Sequence, residues 1–142
     1  MLASQILQSK GDLVFTVTPI ETVEAAAALL HSRRVGALVV VDSDQSVIGI
    51  VSERDIVRVV AETGTGAMAM TLVDCMSRDV IFADPSETVD VLMGRMTDRR
   101  LRHLPVVSGG RLLGIISIGD LVKAKIAEVE SEASGLKAYI AL

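Results

Sequence analysis

Two short strings constrain this chain more than any other feature. Gly49 to Val57 reads GIVSERDIV and Gly114 to Val122 reads GIISIGDLV. They stand 65 residues apart and share Gly-Ile, a serine, an aspartate three residues after it, and a closing valine. A pattern repeated at that distance in 142 residues is a duplicated unit. The length fits one compact domain, or two half-sized units sharing a core.

The duplication extends well upstream. Pro19 and Thr22-Val23-Glu24 match Pro85 and Thr88-Val89-Asp90 at a separation of 66, as do Arg33-Arg34 with Arg99-Arg100 and Leu38 with Leu104. The separation falls to 65 by Gly49, so the second copy has lost one residue in the turn VSGGRLLG, where a length change costs little. In each copy an apolar segment (Val14 to Val17; Val80 to Ala83) precedes a threonine suited to cap a helix, with an acid next to its positive end. Val23, Ala26, Ala27 and Leu30, and their twins Val89, Leu92, Met93 and Met96, form the stripe of a helix with one buried face. Apolar runs at Ala37 to Val41 and Leu104 to Val107 read as buried strands, and Val47 to Val51 and Leu112 to Ile116 as their partners. Ser52 or Ser117 then opens a second helix. The order is β-α-β-β-α, twice.

The remaining segments are a short helix over Met1 to Lys10, a linker over Glu62 to Leu72, and a long C-terminal helix from Gly119, interrupted at Ser134-Gly135. The length of that last helix beyond the repeat points to a packing partner. The domain plan is therefore 1–12 lead-in, 13–61 first repeat, 62–72 linker, 73–127 second repeat and 128–142 helical extension.

Composition sets limits on function. The chain is 50% hydrophobic and 23% charged, a folding composition, with Phe15, Phe82 and Tyr139 as its only aromatics. A net charge of −4, no basic run and no interleaved aromatics argue against nucleic-acid binding. The single cysteine, Cys75, cannot form an internal disulfide, MLASQILQSKG lacks a signal-peptide core, and no apolar run reaches the length of a membrane helix. The expectation is a cytoplasmic protein with no membrane association. No His/Cys/carboxylate cluster has metal-site spacing, so no metal is expected.

The serine and aspartate of the repeated string admit two readings. Ser52 with Asp55, and Ser117 with Asp120, form a capping box, in which the pair satisfies backbone N–H groups at a helix start. The same geometry aims helix N–H groups and positive dipole at a phosphate, with an acid one turn in to accept ribose hydroxyls. Both hold together only if the aspartate faces a ligand.

Duplicated β-α-β-β-α units closing in Gly-Ile-Val/Ile-Ser-x-x-Asp-Ile/Leu-Val resemble cystathionine-β-synthase (CBS) domains. Val73-Asp74-Cys75-Met76-Ser77 ahead of the second copy and Leu104-Pro105-Val106-Val107 within it are similar to that family as well. The resemblance spans roughly residues 10 to 127. It implies an α+β fold of two repeats in a pseudo-twofold pair, with adenosine-type ligands in the clefts between the copies and a homodimer as the assembly. It further implies a non-catalytic regulatory module of the stand-alone type, binding AMP, ADP, ATP or NAD(H) and acting on a target protein.

Carried over residue by residue, the resemblance makes Asp55 and Asp120 the ribose acceptors and places Ser52 and Ser117 at the phosphate or ribose. Phe15 and Thr16, and Ile81 and Phe82, border the base, with Gly36 and Ala37 at the start of one strand. Arg100, Arg102 and His103 supply positive charge at the matching place in the second copy, and Arg54 adds to it. Val39 where copy two has Pro105, and Gly119 where copy one has Arg54, make the sites unequal. They motivate the alternative of a dimerisation scaffold with vestigial sites. His31 reads as a helix-surface residue and Cys75 as structural, because no activating base neighbours it in sequence. Gly64 to Ala69 matches G-x-G-x-x-A but follows a helix, not a strand, which fails the context of a dinucleotide loop.

Overall fold

The computed structural model describes residues 1–11 and 13–141. The fold is α+β, in the order α1 (Ala3–Lys10), β1 (Thr16–Val17), α2 (Val23–Arg33), β2 (Ala37–Val41), β3 (Val47–Ser52), α3 (Glu53–Thr63), two 3-10 turns (Gly64–Ala69, Leu72–Asp74), α4 (Val89–Arg99), β4 (His103–Ser108), β5 (Arg111–Ser117) and α5 (Ile118–Ala141). The linker read over Glu62 to Leu72 is mostly the first 3-10 turn, and α5 runs through Ser134-Gly135 without a break.

The chain divides into two compact units. Leu13–Ile81 with Gly110–Leu112 make the first-repeat unit, and Met1–Asp12, Phe82–Gly109 and Leu113–Leu142 make the second-repeat unit. In the first-repeat unit β1 runs parallel to β2, and β2 antiparallel to β3 in the register Ala37↔Ser52 through Val40↔Gly49. Its core gathers Val23, Ala26 and Leu30 of α2, Leu38 and Val40 of β2, and Leu72, Cys75 and Met76 of the segment beyond α3. In the second-repeat unit β4 pairs with β5, and Val89, Leu92 and Met96 of α4 are buried. The apolar stripes read from the sequence are thus the buried faces, with Ala27 and Met93 half-buried at their edges.

The strand expected over Val80 to Ala83 is reduced to one parallel bridge, Ala83↔Val106. Proline explains the difference. In the first repeat the Val39 N–H donates to the Phe15 carbonyl at 3.2 Å, and β1 builds on that bond. Pro105 occupies the matching position and has no N–H to donate, so the pairing does not extend back from Ala83. The hairpin turns differ too. Copy two turns through Gly109 and Gly110 at φ 58° and 76°, the paired left-handed conformation that glycine tolerates best, and so dispenses with one residue.

The segments ahead of the two repeats are themselves duplicates, and each docks on the other repeat. Leu72 N–H donates to Glu21 O, Val73 N–H to Pro19 O, and Val23 N–H to Met70 O. Ala3 N–H donates to Glu87 O, Ser4 N–H to Pro85 O, and Val89 N–H to Met1 O. These are the same three bonds, with the lead-in segment offset by 69 residues and the repeat by 66. Residues 1–7 therefore complete the second-repeat unit and 70–76 complete the first.

This exchange explains the repeated glycine. A Cβ on Gly49 would lie 2.6 Å from Met76 Sδ and 3.1 Å from the Ser77 carbonyl. A Cβ on Gly114 would lie 2.7 Å from the Leu7 side chain. In both units a lead-in residue sits directly on the strand.

Candidate functional site

Both capping boxes form. Asp55 N–H donates to Ser52 Oγ at 3.3 Å, and Ser52 N–H returns a bond to Asp55 Oδ2 at 2.9 Å. Asp120 N–H donates to Ser117 Oγ at 3.1 Å, and Ser117 N–H to Asp120 Oδ2 at 2.8 Å. The first N–H of each helix is also taken, and by the same duplicated bond: Glu53 N–H to Gly36 O at 3.0 Å, Ile118 N–H to Arg102 O at 2.8 Å. That bond brings the strand starts, Gly36-Ala37 and Arg102-His103, to the helix starts. Of the first three N–H groups in each helix, only those of Arg54 and Gly119 lack a protein acceptor among the described residues. At Gly119 the backbone is also uncluttered, since an added Cβ would meet only Ser117 Oγ, at an ordinary 3.6 Å.

The two aspartates differ in what remains open. Asp55 Oδ2 accepts from both the N–H and the hydroxyl of Ser52, and Oδ1 takes the Arg58 guanidinium at 3.4 Å. Arg58 is held in turn by the Cys75 carbonyl at 3.0 Å. Asp120 accepts Ser117 N–H and the Lys10 ammonium, at 2.7 Å, on Oδ2 alone. Its Oδ1 is left with two lone pairs for a further donor. Burial pushes the Asp120 carboxyl up, but the bond and charge of Lys10 and the bonds from the Ser117 N–H and hydroxyl outweigh it and hold the carboxyl below its ordinary value. Asp120 is therefore ionised near neutrality, as a hydroxyl acceptor must be.

Lys10, at the last turn of α1, is the residue that sequence reasoning missed. It bonds Asp120 and the Ile115 carbonyl, at 2.8 Å, across more than a hundred residues. No spacing signal links it to the repeat. Asp120 has a depressed folded pKa, so its pairing contributes stability above the ordinary carboxylate pKa of about 4, and the contribution is lost as pH falls below that value. Both side chains are under a third exposed, which sets the contribution at about 0.5–1 kcal/mol after screening. Lys10→Met should therefore lower the urea midpoint at pH 7, and the gap from the parent chain should narrow as pH falls below about 4. A gap that stays the same size as the pH is lowered would rule out the ion pair as its source.

The other candidate residues are distributed as follows. Arg54 is exposed on the first turn of α3. Arg100 is exposed at the C-cap of α4 in the left-handed conformation, φ 55°, and Arg102 is exposed two residues on. None of these three arginines has an anionic partner among the described residues. His103 opens β4 and is half-buried. Phe15 is half-buried with the Arg33 guanidinium 5.0 Å from its ring centre, so one ring face already carries a cation. Thr16 borders a 360 Å3 depression lined also by Val41, Asp44 and Arg111. Ile81 is half-buried, while Phe82 is 39% exposed and its carbonyl accepts from Arg95. Cys75 is buried and its thiol is pushed up by that burial, in keeping with a structural role. No metal-binding group of three or more His, Cys, Asp or Glu occurs among the described residues, and no helix there is long and apolar enough to cross a membrane.

Known proteins share this fold. The chain is similar to a CBS-domain containing protein from Agrobacterium tumefaciens, at 43% identity and a TM-score of 0.85 over 87% of this chain and 92% of that one. It is 34% identical to the CBS domain-containing protein CBSX3, mitochondrial, of Arabidopsis thaliana, over 96% of this chain and 70% of that protein. It also resembles the CBS domain pair of protein MJ0100, solved in complex with 5′-methylthioadenosine and S-adenosyl-L-methionine, at 25% identity and a TM-score of 0.81 over 90% of this chain and 98% of that one. The CBS domain model matches twice, over residues 11–62 and 72–127. With the repeated glycine, the exchanged lead-ins and the paired serine-capped helix starts, these matches make the chain a member of the CBS-domain family, carrying two CBS domains in tandem.

Proposed function

We propose that this chain is a non-catalytic regulatory module that binds an adenosine nucleotide (AMP, ADP, ATP or NAD(H)) and works as a homodimer on a target protein. The observation that carries the reading is the α5 start: an ionised Asp120 with Oδ1 open, an open Gly119 N–H, and the uncompensated Arg100 and Arg102 at the strand start whose Arg102 carbonyl accepts the Ile118 N–H. An acceptor for ribose hydroxyls, a helix N–H for a phosphate oxygen and unpaired cations for its charge are what such a ligand requires. The adenosine compounds bound by the similar MJ0100 pair support the same ligand class. Ser52, Asp55, Gly36, Ala37 and Arg54 in the first repeat, and Ser117, His103, Phe15, Thr16, Ile81 and Phe82, complete the proposed ligand residues.

A second reading applies to the first repeat by itself. Both Asp55 oxygens and the Ser52 hydroxyl are engaged within the protein, which favours a structural role for that helix start. One ligand per chain, held through Asp120, is then the expected stoichiometry.

Isothermal titration of nucleotide-free protein with AMP, ATP and NADH, with adenosine as the uncharged control, tests the proposal. Tighter binding of one phosphorylated ligand than of adenosine, near one per chain, is the expected result. Folded protein that gives no heat with any of the four would leave the dimerisation scaffold as the better reading.

A further inference from the structure

Helix α5 continues past the second CBS domain, whose match ends at residue 127, and reaches Ala141. Leu121 and Ala124 bury its first turns against its own unit. From Val129 to Ile140 every residue is exposed. A helix standing clear of the fold in this way needs a reason to remain helical.

Its outer face supplies one. Val122, Ile126, Val129, Ala133, Leu136 and Ile140 follow one another at spacings of 4, 3, 4, 3 and 4. That is the a/d seam of a heptad repeat, with Ile126, Ala133 and Ile140 at a and Val122, Val129 and Leu136 at d. The large members are open to solvent, from 42% for Val122 to 74% for Ile140. The seam runs about 28 Å at 1.5 Å per residue.

We propose that α5 pairs with α5 of a second copy of this chain as a parallel, in-register, two-stranded coiled coil. Charge selects both the partner and the direction. The charged positions flanking the seam are Lys125 and Glu132 at g, and Lys123, Glu130 and Lys137 at e, with Tyr139 at the last g. In a parallel pair each g residue meets the e residue five places on in the other helix. Lys125 then faces Glu130 of the second copy, and Glu132 faces Lys137 of the second copy, each pair occurring twice. Lys125 already bonds Asp90 at 2.8 Å, and its ammonium has further protons to share. An antiparallel pair over the same span would set Glu130 against Glu130 and Lys123 against Lys137. Isoleucine at two of the three a positions with Leu136 at d suits two strands. Because Leu121 and Ala124 anchor the start of the helix, the seam does not bear the full cost of nucleation.

The proposal rests on the homodimer reading only in requiring a second copy, and the test separates the two. Leu136→Cys in the full chain places two thiols face to face at one d layer, within disulfide reach in a parallel pair alone. Ser131→Cys, at the outer f position, is the control, and the parent chain checks that buried Cys75 does not react. Under mild oxidation Leu136→Cys should cross-link roughly tenfold faster than Ser131→Cys. Glu132→Lys should slow that cross-link, and adding Lys137→Glu should restore it. Sedimentation equilibrium reads self-association independently. A chain that sediments as a dimer but cross-links no faster at residue 136 than at 131 overturns the coiled coil and leaves the homodimer standing.

Discussion

Gly49→Val should lower stability by about 3 kcal/mol, the upper end of the cost of overpacking a core, read as a shift of the urea midpoint at constant m-value. The new Cβ alone would lie 2.6 Å from Met76 Sδ and 3.1 Å from the Ser77 carbonyl. The thioether can swing aside. The carbonyl cannot, because it accepts from Ile50 N–H at 3.0 Å while Ser77 N–H donates to Ile50 O at 2.9 Å. Gly114→Val should cost less, since its nearest atoms are the ends of the Leu7 side chain. Gly119→Ala has ordinary space and replaces a helical glycine, so a gain of up to about 0.5–1 kcal/mol is expected there. Losses of the same size at positions 49 and 119 would contradict close approach as the reason glycine recurs in the repeated string.

Asp120→Ala should weaken binding of the adenosine nucleotide by about 10- to 100-fold, or 1–3 kcal/mol, because a charged acceptor of hydroxyl hydrogen bonds is lost. Its effect on folding must be separated from its effect on binding, since Asp120 also caps α5 and pairs with Lys10. Asp120→Asn keeps an acceptor for the Ser117 N–H and removes the charge. It should retain most of the thermal stability and still bind less tightly than the parent. Asp55→Ala should cost stability with little change in affinity, given the engagement of both its oxygens. Arg102→Ala should weaken phosphorylated ligands far more than adenosine. Unchanged titration curves for Asp120→Ala would reduce the repeated serine and aspartate to helix caps.

The helix starts were legible because their chemistry is local. A serine, a gap of two and an aspartate satisfy N–H groups within one turn, and both boxes form where the string recurs. The buried stripes of α2 and α4 were legible for the same reason, since a helical period in the sequence becomes a face in space. The strand at Val80 to Ala83 was misread because apolar character marks a candidate strand, while pairing needs a donor on the neighbour. Pro105 withholds it. The break expected at Ser134-Gly135 did not occur, because one glycine in an exposed helix costs only about 1 kcal/mol against alanine and does not by itself end it.

The sequence by itself determined the duplication, the β-α-β-β-α order and the capped helix starts, all of which follow from spacing and short-range hydrogen bonding. The tertiary structure alone decided that each lead-in completes the other repeat, that Lys10 crosses 110 residues to hold one oxygen of Asp120, and that the Cys75 carbonyl holds Arg58 beside Asp55. Two similar strings thereby acquire different chemistry. The reason is physical: a carboxylate's free valence depends on which donors the folded chain brings within about 3 Å, and no periodicity in the sequence records a contact between residues so far apart.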